Sequence, residues 1–219
     1  MTSFQKIVLF VLRLLLKTFV SWRVEGGENA PLSGPLVVIA NHVHLLDPIL
    51  LQINFPRWIN FMAKEALFRS PILRLILRWS NAFAAHRQGT IKEKQQVLKN
   101  AQDILDRGLV LGMFPEGSRS PDGELRMGKS GSAVIASRAN VDILPVGIAG
   151  TDKIKGISCL WRRPDIVINI GKASKLPSVD GRLNKSQRQL LTDSMMLKIA
   201  ALLPYEYRGV YKEYGDHEN

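Results

Sequence analysis

The sequence predicts an α/β domain with a largely parallel central sheet flanked by helices, and two observations carry that expectation. Short apolar runs alternate with longer segments of helical periodicity. The residues just after the apolar runs are polar and chemically capable, and in a parallel sheet those positions lie along the carboxyl edge where ligands bind. With 219 residues and 46% hydrophobic content, the chain can bury a substantial core as one domain. We expect that domain over residues 25–219, preceded by a helix over residues 1–24.

The opening stretch FQKIVLFVLRLLLKTFVSW is interrupted by Lys6, Arg13 and Lys17, so it lacks the about 20 continuous apolar residues of a bilayer span. At about 100° per residue these cations fall on one narrow stripe, and Leu, Ile, Val and Phe fill the rest. That pattern predicts an amphipathic helix in a membrane interface with its cations toward lipid headgroups. Shallow or spanning insertion and purely internal packing are the alternatives. No small-residue cleavage site follows, which argues against a signal peptide.

Strands are expected at PLVVIAN (35–41), WINFMA (58–63), NAFAA (81–85), LVLGMF (109–114), ILPVGIAG (143–150) and IVINIG (166–171). A helix is expected from Asp47 to about Asn54, with Asp47 as N-cap and Pro48 at the first helical position. A second opens at Ser70-Pro71 and carries a basic stripe of Arg69, Arg74 and Arg78 beside Ile72, Leu75, Ile76 and Trp79. A third begins at Thr90, whose spacing to Glu93 makes a capping box, and stops at Gly108. Two more cover roughly Ser130–Ala139 and Asn184–Leu203.

Lysine plus arginine number 30 against 19 acids, a formal charge of +11. That excess favours anionic partners: nucleic acid, an acidic bilayer surface or phosphorylated small molecules. The lone Cys159 excludes an internal disulfide, and no Cys/His cluster has zinc-ligand spacing, so no metal is expected. A reducing compartment fits best. No RNP, helix-turn-helix or zinc-finger pattern supports nucleic-acid binding.

The segment ANHVHLLDP (40–48) follows the first strand with two histidines and an aspartate. Histidine exchanges protons near neutral pH and aspartate fixes an imidazole tautomer, so a catalytic pair is one reading. An ordinary helix cap beside a loop histidine is the other. The remaining strand ends tilt the choice toward catalysis, because Lys64 and Glu65, His86 and Arg87, and PEGSRS (115–120) would share that rim. In FPEGSRS, the turn at Pro115 and Gly117 frees backbone N–H groups for an oxyanion, and Arg119 offers a planar fork for phosphate. Glu116 would orient Arg119 or accept a hydrogen bond from a substrate hydroxyl. Gly128, Lys129 and Gly131 at a helix start form a further anion site, though without Walker A spacing.

NHVHLLD (41–47) followed by FPEGSRS (114–120) resembles the glycerolipid acyltransferase family, and within it the 1-acylglycerol-3-phosphate acyltransferases. That family has N-H-x-x-x-x-D and F-P-E-G-[ST]-R-S blocks in this order. AFAAHR (82–87) and ILPVGIAGT (143–151) resemble its second and fourth blocks more loosely, and the similarity covers about residues 35–151. The resemblance implies His42 as general base, Asp47 as its partner, and substrate contacts from Arg87, Glu116, Gly117 and Arg119. The rim itself adds Lys64 and Lys129. His44 stands where such enzymes often carry a small hydroxyl residue, and a positioning role is expected for it. His86 beside Arg87 is a second departure.

The implied reaction moves an acyl chain from a thioester, acyl-CoA or acyl carrier protein, to the free hydroxyl of lysophosphatidic acid, without a cofactor. It implies a protein on the cytoplasmic face of an anionic membrane. Rival readings are an acyltransferase using glycerol 3-phosphate or another lysophospholipid, a thioesterase, and a non-enzymatic basic binding protein.

Overall fold

A computed structural model describes the chain except residues 72–73, 75–76, 78–79, 86–88, 155, 157–162, 178–182 and 215–219. The described strands are β1 (Ser21–Glu25), β2 (Leu36–Ala40), β3 (Ile59–Lys64), β4 (Phe83–Ala85), β5 (Val110–Met113), β6 (Asp142–Ala149) and β7 (Asp165–Ile170). They form one seven-stranded sheet in the order β1-β7-β6-β2-β5-β3-β4. Every pairing is parallel except β6 with β7. The helices are α1 (Ser3–Phe19), α2 (Asp47–Asn54), α3 (Ile91–Asp106), α4 (Ser130–Ala139) and α5 (Lys185–Ala200). The helix expected from Ser70 falls largely outside the described residues.

Strand alternation sorts the core into two layers. Leu36, Val38 and Ala40 of β2 join Leu144, Val146 and Ile148 of β6 beneath α1 and α2. Val37, Ile39, Leu111, Met113 and Ile143 face the other way, against Ala101 and Leu105 of α3, Ala133 and Ile135 of α4, and Met195, Met196 and Ile199 of α5. Met195 and Met196 are thus core residues. Each fully buried large apolar side chain contributes roughly 1.5–3 kcal/mol, so these layers hold the sheet's register.

The helix ends follow their local chemistry. Thr90 accepts from the Glu93 amide at 3.3 Å while Glu93 accepts from the Thr90 amide at 2.6 Å, closing the expected capping box. Asn184 and Gln187 close another at the start of α5, both bonds 2.9 Å. The helix expected over residues 1–24 ends at Phe19, and Ser21–Glu25 forms β1 instead. Val20, 1% exposed, turns the chain between them, and pairing with β7 recruits the SWRVE segment to the sheet.

The sheet delivers the site at the carboxyl end of its central strands. Asn41, the first residue after β2, is buried and bonds Ile148 of β6 through both backbone groups, at 2.8 Å to its carbonyl and 2.7 Å from its N–H. It extends the β2–β6 ladder by one side chain and fixes the direction in which the chain leaves the sheet. Asn41→Ala should cost roughly 1–3 kcal/mol for each backbone group it strands, read by urea denaturation. A variant of wild-type stability would show that Asn41 does not hold this exit.

Candidate active site

His42 follows Asn41 and turns its ring over the end of β5. Its Nδ1 lies 2.8 Å from Oδ2 of Asp47, and its ring stacks on Phe114 with centroids 4.2 Å apart. Phe114 stacks in turn on Phe61 of β3 at 5.8 Å. The imidazole is therefore held by a carboxylate at one edge and an aromatic face beneath.

Asp47 is fully buried and does not cap its own helix as expected. Its Oδ2 reaches back to accept the N–H groups of Val43 and His44, both at 2.7 Å, together with the His42 ring. Pro48 starts α2 without needing a partner for a missing N–H, and the positive helix terminus favours the carboxylate. Asp47 thus engages the Nδ1 edge of the His42 ring and leaves the Nε2 edge outside this contact.

Glu116 closes the site from the other strand. It is 3% exposed, and Oε1 accepts the His42 N–H at 2.9 Å while Oε2 accepts the Arg126 N–H at 3.2 Å. With both oxygens taken by backbone donors, its expected part in orienting Arg119 or meeting a substrate hydroxyl gives way to a bracing one. Burial pushes its carboxyl up to about 7, against the lowering pull of those two hydrogen bonds.

Gly117 adopts φ +67° and donates its N–H to the Phe114 carbonyl at 2.9 Å, so that amide is not available to an oxyanion as expected. Its missing side chain lets Lys129 lie across it, with Cδ 3.1 Å from the place a Cβ would occupy. The Ser120 N–H bonds the His42 carbonyl at 2.7 Å, which starts exposed Arg119 beside the histidine. Arg126, which the block pattern did not single out, is also exposed and donates to Ser118 Oγ at 3.3 Å.

His44 is half-buried, and its Nδ1 accepts the Leu46 N–H at 3.3 Å. Burial lowers it below its usual 6.5; Asp47 opposes that shift, and Arg119 and His42 reinforce it. Lys64 ends β3 and is exposed, two strands from β2, and no described hydrogen bond or ion pair joins it to the His42–Asp47 pair. Arg87 and His86 lie outside the described residues, as does Cys159. Among the described residues, no group of three or more His, Cys, Asp or Glu side chains converges as a metal site.

The dyad, its brace and the flanking cations coincide with a family match: the Acyltransferase family model fits residues 21–149, more than half of the chain. The chain belongs to the acyltransferase family. It is 29% identical over 129 residues to a 1-acyl-sn-glycerol-3-phosphate acyltransferase of Borreliella burgdorferi, covering 59% of this chain and 51% of that one. To a chloroplastic 1-acyl-sn-glycerol-3-phosphate acyltransferase of Arabidopsis thaliana it is 31% identical, over 62% of this chain and 38% of that one. The chain thus spans about half the length, or less, of these curated relatives. The crystal structure of the 1-acyl-sn-glycerophosphate acyltransferase PlsC of Thermotoga maritima superposes with a TM-score of 0.61 at 28% identity, over 89% of this chain and 80% of that one. The largely parallel α/β fold of this chain matches that of the PlsC structure.

The raised Glu116 carboxyl makes folding pH-dependent. Its stabilising share is fully present below its ordinary 4.5 and is lost as pH rises through about 7. The stability of the wild type relative to Glu116→Gln, which cannot titrate, should therefore fall between about pH 4.5 and 7. Urea unfolding across that range tests this, and a constant gap would show that the carboxyl is not perturbed.

Proposed function

We propose that this acyltransferase moves an acyl chain from a thioester to the free hydroxyl of 1-acylglycerol 3-phosphate, forming phosphatidic acid. The observation that carries the reading is the 2.8 Å contact from His42 Nδ1 to buried Asp47, which supports Nε2 as the base. The names of the Borreliella and Arabidopsis relatives support the choice of acceptor.

Nε2 of His42 takes the acceptor's hydroxyl proton as that oxygen attacks the thioester carbonyl carbon. Asp47 stabilises the imidazolium so formed. The C–S bond breaks as the tetrahedral intermediate collapses, and the imidazolium returns its proton to the departing thiolate. Attack is direct, with no acyl-enzyme. Arg119, Arg126 and Lys129 receive the acceptor's phosphate, with Arg87 as a further contact. Acyl-CoA and acyl carrier protein are the two candidate donors.

Both acceptor and product reside in a bilayer, so the protein docks there, and α1 has the build for it. Leu9, Leu12 and Leu16 pack into the core, whereas Phe4, Ile7, Phe10, Val11, Leu14 and Leu15 are exposed. Lys6, Arg13 and Lys17 run along one flank, at the level of anionic headgroups. Among the described residues, no helix is long and apolar enough to cross a membrane. In this reading the helix lies in the interface, on the cytoplasmic face of an anionic membrane.

A matrix of acyl-CoA and acyl carrier protein donors against lysophosphatidate, glycerol 3-phosphate and other lysophospholipids, assayed in vesicles, tests the reaction. Lysophosphatidate should be acylated, and His42→Ala should lose about 10²–10⁴-fold in rate while staying folded. Acyl release without an acceptor, or near-wild-type turnover by the variant, would defeat the reading. For docking, replacing Ile7, Phe10 and Leu14 together by Gln should weaken sedimentation with anionic vesicles at least about 10-fold, since each buried apolar side chain contributes roughly 1.5–3 kcal/mol. Unchanged sedimentation would move the docking surface off α1.

A further inference from the structure

The loop from Pro115 to Lys129 is tied to the dyad through Glu116 and Ser120, which leaves its outer half to be fixed from elsewhere. The neighbouring element is the pair of 3-10 turns Tyr205–Tyr207 and Gly209–Tyr214. The Leu125 N–H donates to the Tyr207 carbonyl at 2.8 Å, and the Val210 N–H donates to the Leu125 carbonyl at 3.3 Å. Leu125, 2% exposed, is thereby gripped on both sides of its backbone. Gly209 sits at φ +52°, and a Cβ there would stand only 2.1 Å from the Leu125 carbonyl oxygen.

Further contacts bind the same two pieces. The Gly128 N–H points to the Tyr211 hydroxyl at 3.5 Å, and that hydroxyl reaches Asp193 of α5 at 3.4 Å. Lys212 pairs with Glu124 at 2.9 Å. The turns are moored to the domain by Tyr207, whose hydroxyl donates to Asp152 at 2.9 Å, and by the buried Tyr211 ring.

We propose that residues 205–214 form a positioning strap for the acceptor's phosphate site, holding Leu125 and Gly128 so that their neighbours Arg126 and Lys129 present charge at fixed places. This rests on the acyl-transfer reading above. Gly209 and Tyr211 are positioning residues that act through the loop. Glu116 anchors the inner side of the loop to the backbone N–H of His42, and the strap anchors the outer side to α5. The two tethers have separable consequences: loosening the strap disturbs acceptor binding more than the proton-transfer step.

Gly209→Ala forces the strap and Leu125 apart. Gly34→Ala is its control, because Gly34 has φ +79° with nothing near its missing Cβ, so the backbone penalty is alike but no contact breaks. With folding checked by thermal melts, Gly209→Ala should raise the KM for lysophosphatidate by up to about 10²-fold with a much smaller change in kcat, as expected of a misplaced binding group. Tyr211→Phe should move the same constant by less, and Gly34→Ala should not move it. Hydrogen exchange at the Leu125, Arg126 and Gly128 amides should quicken in Gly209→Ala and not in Gly34→Ala. A folded Gly209→Ala with wild-type KM and exchange, or a Gly34→Ala that matches it, would overturn the strap. Exchange needs no turnover, so an inactive wild type would refute the acyl-transfer reading, while unchanged exchange would refute the strap.

Discussion

Oδ2 of Asp47 accepts three donors at once, the His42 ring and the Val43 and His44 amides, and the site is arranged around the imidazole that this oxygen orients. Burying a carboxylate is expensive unless hydrogen bonds offset the lost hydration. Here two of the three donors are backbone groups of the loop that carries the histidine. The conformation of the loop and the direction of the ring are therefore one constraint. Asp47 opens α2, whose Leu50 and Leu51 are fully buried against the sheet, so the oxygen's place is inherited from core packing.

The sheet was legible because its strands are short apolar runs between well-marked helix ends. Leu36–Ala40 and Val110–Met113 are buried on both faces and read as continuous hydrophobic segments. β1 escaped because SWRVE alternates exposed and half-buried residues at the sheet edge and follows directly on a long apolar helix. At the site, residue types announced the dyad, but spacing says nothing about which backbone groups are already engaged. Glu116 looks like a substrate ligand until both its oxygens are found on amides, and the Gly117 N–H looks available until the Phe114 carbonyl is found beneath it. Arg126 lay outside the motif blocks and so carried no signal of its own.

The helix proposed for docking and the His42–Asp47 pair share a mechanical path in this fold. α1 leans on α2, and Asn54, the last residue of α2, accepts from Arg13 at 3.2 Å and from the Trp22 indole at 3.0 Å. The helix proposed to lie in the bilayer is thus fastened to the helix whose first residue orients His42. The apolar residues of α1 divide between two environments: Leu9, Leu12 and Leu16 face the protein, and Phe10 and Leu14 face outward. A helix with one inward face would need only a single stripe, and the second stripe accounts for the unbroken apolar character of the sequence between its three cations.

Beyond the ends of β2 and β5 the ladder no longer supplies acceptors, yet the chain there remains close to the core and its N–H groups still need partners. Side chains take over that duty. Asn41 continues the bonding toward β6, Glu116 serves His42 and Arg126, and Asp47 serves Val43 and His44. Each such bond has a net worth of only about 0.5–1.5 kcal/mol, but leaving a buried donor unmet costs more, so the loops have little freedom to rearrange. The motif's acidic residues are thus first of all substitutes for a missing strand. With the backbone so satisfied, the Nε2 edge of His42 has no hydrogen-bond partner among the described residues, and it is this edge that the proposed reaction turns to the substrate hydroxyl.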